Sequence, residues 1–267
     1  MTKEIYHKVL MNNGYGWEKL EKSGITLWFK GYLHNSSVQQ IHFKAIHFLR
    51  EKTYNLKTLS EWVKGLNGHF AFILISSSSI FATVDKVNSI PLFYSQHSDD
   101  FFLTNKASLL KNKNSTEKNE IDTQASLEIA MSGYTIGRKT LYHKLFQLTS
   151  GECLYYEKDL FERTFYHTYS PWLTKDRTEK SLKKDFNVCL NLTMEELADS
   201  INGRQVVVPL SAGNDSRLVA SGLKHFGVEN VLCFSYGRSE NFESKIASLI
   251  SKKLDYDFTK IDINSRD

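Results

Sequence analysis

A short run of small and polar residues, Leu210 to Ser216, stands between an apolar segment and a segment with helical spacing. Hydroxyl groups and backbone N–H groups at the start of a helix carry partial positive charge and favour a phosphate. The carboxylate of Asp215 would repel a phosphate, so its expected role is to hold a Mg²⁺ ion that bridges to the phosphates. A simpler alternative is that Ser211 and Asp215 are ordinary turn and N-cap residues. The candidate anion-binding loop consists of Leu210, Ser211, Ala212, Gly213, Asn214, Asp215 and Ser216.

Two arginines stand close to this loop in the predicted architecture. Arg217 follows the loop directly, and Arg238 follows the next apolar segment. Each guanidinium group could bind a polyphosphate or a substrate carboxylate through two parallel hydrogen bonds. A solvated surface position is an equally good interpretation of each of them.

The elements that must position this loop alternate between strands and helices from Gln205 onward. Such alternation predicts a parallel α/β sheet. The continuous apolar run Val206 to Leu210 is typical of a strand that is buried on both faces. The remaining predicted elements are a helix that starts after Asp215 and ends at Gly227, a strand from Val231 to Ser235, a helix from Phe242 to Lys253 and a strand from Tyr256 to Ile263. A three-stranded sheet leaves the edge of its third strand uncovered.

The loop resembles the SGGxDS signature of the ATP-pyrophosphatase family, and Val206 to Ile263 resembles the corresponding part of asparagine synthase. The resemblance implies ATP and Mg²⁺ as cofactors, with Ser211, Gly213, Asn214, Asp215 and Ser216 around the pyrophosphate part of ATP. It also implies that Leu210, Phe234 and Ser235 lie by the adenosine. Ala212 stands where the family has its first glycine. Because alanine avoids positive φ, either this position has an ordinary conformation or pyrophosphate binding is weakened.

The first half of the chain has a different pattern, with short β-rich segments separated by turns. Between the first two strands, apolar residues at mixed spacing of three and four predict two helices within Val38 to Leu66. The polar run from Lys111 to Glu120 predicts an exposed loop. Together these features predict a layered α+β domain of antiparallel sheets. The predicted strands are Ile25 to Tyr32, Gly68 to Ser76, Ile80 to Asp85, Leu92 to Ser95, Phe101 to Thr104 and Glu152 to Glu157.

Several segments of this half are similar to the class II glutamine amidotransferase domain that precedes the synthetase domain in asparagine synthase. They are Leu66 to Phe72, Val84 with Asp85, Ile90 to Tyr94, Lys139 to Tyr142 and Leu148 to Gly151. The resemblance implies an Ntn-hydrolase-like layered antiparallel sandwich. Most of these residues are core and turn residues, so they indicate a fold more than a chemistry.

The chemistry of that family requires an N-terminal cysteine thiolate, its own amino group as base and an oxyanion donor. Position 2 is Thr2, and the first cysteine along the chain is Cys153. Where the family has an Asn-Gly pair after its early strand, this sequence has Lys30 followed by Gly31. We therefore expect the front domain to lack glutaminase activity and to act as a scaffold.

The length of 267 residues fits two modest domains. We expect an amidotransferase-like domain at 1–170, a linker or helical connection at 171–204 and the first part of an ATP-pyrophosphatase domain at 205–267.

The net charge of +4 is scattered, which gives no case for nucleic acid as a partner. Three cysteines without CxxC spacing, no signal-peptide pattern and no long apolar run predict a cytoplasmic protein without a membrane partner.

The resemblance to asparagine synthase implies an enzyme that uses ATP and Mg²⁺ to activate a small-molecule carboxylate, which ammonia or an amine then attacks. The alternative is a catalytically incomplete fragment or scaffold, whose ATP domain is completed by a second polypeptide or an identical copy. A third interpretation, a thiolating or lysidine-forming enzyme acting on transfer RNA, is disfavoured by the lack of a basic patch.

Overall fold

The computed structural model describes residues 8–14, 16–97, 100–111, 121–158, 160–172 and 176–263. The chain divides into two compact units, Met1–Trp172 (unit 1) and Leu173–Asp267 (unit 2). Thr2 lies outside the described residues, as does the predicted loop at 111–120 apart from Lys111.

Unit 1 contains two β-sheets. Its strands are β1 (Val9–Leu10), β2 (Glu18–Lys22), β3 (Ile25–Leu33), β4 (Gly68–Ile75), β5 (Ser79–Val84), β6 (Phe93–His97), β7 (Asp100–Thr104), β8 (Leu145–Gln147), β9 (Glu152–Glu157) and β10 (Leu160–Phe165). One sheet has the order β10-β9-β5-β4-β3-β2, and the other has the order β1-β7-β6-β8. The pairs are antiparallel except β1 with β7.

Four helices of unit 1 lie within the described residues. They are α1 (Val38–Arg50), α2 (Leu56–Lys64), α3 (Ser108–Lys111) and α4 (Thr123–Ser132). Ser37 starts α1 with a capping box, in which its hydroxyl accepts from the Gln40 N–H and the Gln40 side chain accepts from the Ser37 N–H. Asn55 caps α2 by accepting from the Thr58 N–H. These caps define the starts of the two helices that the sequence predicts, and that prediction is confirmed.

The six-stranded sheet separates two apolar cores. On one face, Phe29, Phe72 and neighbouring side chains pack against the helices through residues such as Ile41 and Leu59. On the other face, Ile73 and its neighbours pack against the four-stranded sheet. Because successive side chains of a strand point to opposite faces, an apolar strand such as β4 contributes to both cores. The layered antiparallel sandwich predicted from the sequence is confirmed.

Unit 2 contains a three-stranded parallel sheet. Its strands are β11 (Val206–Pro209), β12 (Val231–Gly237) and β13 (Asp257–Asp262), in the order β11-β12-β13. Its helices are α5 (Glu179–Ile201), α6 (Asn214–His225) and α7 (Phe242–Leu254). Helix α5 occupies most of the segment expected to connect the two domains.

The prediction that the strand at Val206 to Leu210 is buried on both faces is wrong. Val208 and Leu210 belong to the core, whereas Val207 is 53% exposed. Parallel strands joined in the order β11-β12-β13 by right-handed crossovers place α6 and α7 on the same side. Consistent with this, Ala220 of α6 and Ala247 of α7 share one core cluster. The other face of the sheet is open within the described residues and exposes Val207, Tyr236 and Ile261.

Among the described residues, the structure has no helix with the length and apolar character needed to cross a lipid bilayer.

Candidate functional site

The loop between β11 and α6 is closed by the hydroxyl groups of two serines. The Ser211 N–H donates to Ser216 Oγ at 3.1 Å, and the two Oγ atoms are 3.0 Å apart. The Gly213 N–H donates to Ser211 Oγ at 3.1 Å. Two backbone donors of the loop are therefore satisfied internally, while the first N–H groups of α6 have no intrahelical partner.

Ala212 has an ordinary backbone conformation, because its φ is not positive. Gly213, the N-cap of α6, also has an ordinary φ of −68°. The alanine that replaces the expected glycine therefore introduces no conformational strain into the loop. Its carbonyl oxygen accepts a hydrogen bond of 2.9 Å from Arg217 Nη2. One guanidinium group of the predicted site is thus bound to the loop itself.

Asp215 is the second residue of α6 and is exposed. The N-cap of α6 is Gly213, and no side chain caps this helix. The alternative that Asp215 is the N-cap is therefore wrong. Within the described part of the chain, the Asp215 carboxylate has no hydrogen bond or ion pair. Ser211 does act as a turn residue, because its Oγ accepts a hydrogen bond from the backbone N–H of Gly213, two residues later.

The three residues that the resemblance places by the adenosine lie in different environments. Leu210 is 2% exposed, and its N–H donates to the Phe234 carbonyl oxygen at 2.8 Å. Ser235 is also buried, and its Oγ lies 3.1 Å from Ser244 Oγ. Phe234 points to the opposite, open face, where its ring stacks on Tyr236 with 6.4 Å between centroids. Only Phe234 therefore offers a side chain at the surface.

The parallel register brings the ends of β11, β12 and β13 to one edge of the sheet. The Ser211 loop, Arg238 and Asp262 follow or end these strands, so they share this edge. Arg238 is exposed, and its carbonyl oxygen accepts from the Asn241 side chain at 2.8 Å.

Ion pairs occupy the same edge. The Glu240 and Lys245 side chains are 2.5 Å apart, and the hydrogen bond from Lys245 lowers the pKa of the Glu240 carboxyl group. Lys260 and Asp262 form a second pair at 2.7 Å. No group of three or more His, Cys, Asp or Glu side chains in the described ranges could hold a metal ion. Asp215 would therefore need phosphate oxygens and water to complete the coordination of Mg²⁺, which is how Mg²⁺ commonly binds.

Two described residues of unit 1 bear on glutamine hydrolysis: Lys30, at the expected oxyanion position, and Cys153, the first cysteine of the chain. They lie on different strands, β3 and β9. Lys30 lies in β3 opposite Ala71 of β4. The only cysteine of unit 1, Cys153, is 0% exposed, and burial raises the pKa of its thiol to about 12. Its Sγ lies 3.3 Å from Thr83 Oγ1. Cys153 is therefore a neutral core thiol and not a nucleophile.

A second polar cluster, which the sequence did not identify, lies where β4 begins. The His69 Nδ1 atom is 2.6 Å from Ser89 Oγ. The Asp85 carboxylate accepts hydrogen bonds from the N–H groups of Phe70 at 3.0 Å and Ser89 at 3.2 Å. The Tyr32 ring lies 5.4 Å from the His69 ring, and burial, with Asp85 as a second cause, raises the pKa of Tyr32. No spacing in the sequence marks this group, because pairing of β4 with β5 brings it together.

Residues 52–169 match the family model described as a glutamine amidotransferase domain. No curated protein matches the chain. Among solved structures, a glutamine phosphoribosylpyrophosphate amidotransferase from B. subtilis is similar over 94% of this chain and 73% of its own, with 12% identity and a TM-score of 0.36. An allosteric regulatory enzyme of purine biosynthesis is similar over 91% of this chain and 61% of its own, with 12% identity and a TM-score of 0.32. On the family match and its layered antiparallel sheets, unit 1 contains a class II glutamine amidotransferase-like domain.

Proposed function

We propose that the chain is an asparagine-synthase-like ligase that adenylates a carboxylate with ATP and forms an amide with ammonia or an amine. The observation that carries this proposal is the exposed carboxylate of Asp215, which has no partner among the described residues and stands beside two serine hydroxyls at the start of α6. An amidotransferase-like domain in the same chain supports amide formation as the reaction class.

The start of α6 suits the pyrophosphate part of ATP because its N–H groups and helix dipole favour negative charge. The Asp215 carboxylate would hold Mg²⁺ together with phosphate oxygens, and bound Mg²⁺ neutralises charge on the leaving pyrophosphate. Arg217, anchored on the Ala212 carbonyl oxygen, has further N–H donors for the same anion.

In the proposed reaction, a carboxylate oxygen attacks the α-phosphorus and pyrophosphate leaves. The amine nitrogen then attacks the acyl carbon, AMP leaves, and the surplus proton passes to solvent. Arg238 lies on the same sheet edge as the Ser211 loop, which supports a role for its guanidinium group in binding the carboxylate substrate.

We expect the nitrogen to come from free ammonia, an amine or a partner protein. The only thiol of unit 1 is buried and neutral, and Lys30 stands at the expected oxyanion position. The test is glutamate release from glutamine by the full chain. Release above the blank that disappears in T2A would show that an N-terminal hydroxyl has taken over the reaction.

A second candidate function is a non-catalytic subunit whose ATP domain is completed by another polypeptide or an identical copy. The observation that favours it is the open face of the unit 2 sheet, where Val207, Tyr236 and Ile261 are exposed among the described residues. Parallel sheets are normally covered on both faces.

Calorimetry with ATP and Mg²⁺ tests the role of Asp215. D215N should lose most of its affinity, because the substitution removes the charge that holds the metal. The matched control is E179Q, which removes an acid from the first turn of α5. Equal ATP binding by D215N and the unsubstituted chain would contradict the metal role, and no binding by either would favour the non-catalytic subunit.

Pyrophosphate release tests whether the chain completes the reaction. The assay contains ATP, Mg²⁺, ammonium and a panel of carboxylates that includes aspartate and uronic acids. We expect the ligase to turn over only when a second polypeptide or an identical copy completes its ATP domain, so the chain alone should release no pyrophosphate. The reason is that in-line attack on the α-phosphate needs several positioned cations and the described loop supplies few. Release that depends on a carboxylate and is absent in D215N would show that the chain is sufficient.

A further inference from the structure

His69 and Ser89 form a hydrogen-bonded pair on the surface of unit 1. His69 is the second residue of β4, and Ser89 lies in the turn after β5. The His69 Nδ1 atom and the Ser89 Oγ atom are 2.6 Å apart, and both residues are exposed. A serine within hydrogen-bonding distance of an imidazole has the arrangement of a nucleophile and its base.

A buried carboxylate fixes the separation of the two residues. Asp85 is 1% exposed, and it accepts from the Ser89 N–H and from the N–H of Phe70, which directly follows His69. The carboxylate also accepts from the Val87 N–H at 2.8 Å. One charged group therefore holds the backbone next to His69 and the backbone of Ser89. The short distance between His69 Nδ1 and Ser89 Oγ thus does not depend on the two side chains alone.

Two side chains of β3 complete the surroundings of the pair. The Tyr32 ring packs on the imidazole at 5.4 Å with an interplanar angle of 43°, which limits rotation of the His69 ring. Lys30 precedes Tyr32 by two residues and lies on the same face of the strand, opposite Ala71. A positive charge on this face of β3 would favour a substrate oxygen that becomes negative.

We propose that Ser89 is a nucleophile with His69 as its base, and that the pair takes up the acyl group of activated carboxylic esters. Ser89 Oγ attacks the ester carbonyl carbon while its proton moves to His69 Nδ1. The alcohol or phenol oxygen leaves with that proton, and the acyl group remains on Ser89 as an ester. Water can repeat the same steps, which releases the carboxylic acid and restores the hydroxyl.

This acyl-accepting site lies in unit 1 and does not depend on the proposed ATP chemistry of unit 2. Activated esters are its expected substrate class, since a good leaving group demands little stabilisation of the tetrahedral intermediate. The required tautomer carries its proton on Nε2 and leaves Nδ1 free to accept.

The test is labelling of the full chain with an alkyl fluorophosphonate, followed by peptide mapping, and release of p-nitrophenol from p-nitrophenyl acetate. Ser89 should be the principal labelled residue, and H69Q should slow both reactions by about tenfold or more. The matched control is H34Q, because the His34 ring also lies 5.4 Å from the Tyr32 ring but has no hydrogen bond to a serine in the part of the chain that the structure describes. Neither assay contains ATP or Mg²⁺, which separates this result from the ATP experiments.

Labelling spread over surface serines, or equal rates in the unsubstituted chain and H69Q, would overturn the proposal. A second measurement covers the case in which H69Q is misfolded. In S89C, the new thiol should react with iodoacetamide faster than Cys189, the exposed native cysteine, because the imidazole favours the thiolate. If both thiols react at the same rate, His69 does not act as a base.

Discussion

Replacing Asp85 by Asn tests whether one buried carboxylate organises the turn after β5. Its two oxygens accept from Val87 at 2.8 Å, from Phe70 at 3.0 Å and from Ser89 at 3.2 and 3.3 Å. The amide of Asn has one acceptor oxygen, so one backbone N–H must face an NH₂ group. The other bonds lose their charge assistance, at about 1 kcal/mol each. We expect D85N to lower the free energy of unfolding of unit 1 by about 3 kcal/mol.

The assay is urea unfolding followed by tryptophan fluorescence. All four tryptophans lie between residues 17 and 172, so the signal reports on unit 1 alone. This matters because a chain with two units need not unfold in one step. The matched control is D122N, since Asp122 is the partly exposed N-cap of α4 and Asn is an equally good cap. If D85N and D122N lose the same stability, Asp85 does not organise the turn as described.

Three further predictions concern unit 1 and the cysteines. G31A should destabilise unit 1 by about 3 kcal/mol or more, because its Cβ would lie 1.9 Å from the His69 carbonyl oxygen at a φ of +116°. G24A, at φ +80° with nothing within 4 Å, should lose only about 1 kcal/mol, and equal urea midpoints would refute the steric argument. Iodoacetamide with peptide mapping should modify Cys189 long before Cys153, and comparable rates would contradict the burial of Cys153. Burial raises the thiol pKa of Cys153 in the folded chain from its ordinary value of 9.0 to about 12. The stability that the buried neutral thiol contributes is therefore complete below pH 9 and is lost as the pH rises toward 12. Between pH 8 and pH 10 the free energy of unfolding should therefore fall about 1.4 kcal/mol less in C153A than in the unsubstituted chain, as measured by urea unfolding at each pH.

The sequence predicts the central strands better than the edge strands, for a physical reason. Strand β4 is packed on both faces, so its side chains are almost all apolar and it stands out as a strand. Strand β2 lies at the sheet edge with four of its five residues exposed, and it carries a largely charged sequence without a hydrophobic signal. Helix α4 was missed for a similar reason, since Ala125 is its only buried residue.

The candidate loop at Ser211 was predictable because its residues are contiguous and lie between a strand and a helix. The hydrogen bonds within the loop could not be read from the sequence, because they depend on which way each hydroxyl points. The error at Val207 arose because an apolar run does not reveal how many faces of a strand are covered. The contact of His69 with Ser89 was beyond prediction, since it depends on long-range strand pairing.

The six-stranded sheet has a consequence for synthesis of the chain. Strand β5 lies between β4, its neighbour in sequence, and β9, which is made much later: Ser79 pairs with Glu157. As the chain leaves the ribosome, β5 therefore presents an apolar edge with unpaired backbone groups until β9 emerges. Such an edge can pair with another chain, which makes this interval the one most exposed to aggregation. In unit 2, by contrast, each strand pairs with the next one made. The amidotransferase-like unit can complete its central sheet only after residue 165 has been synthesised, because β10 pairs with β9.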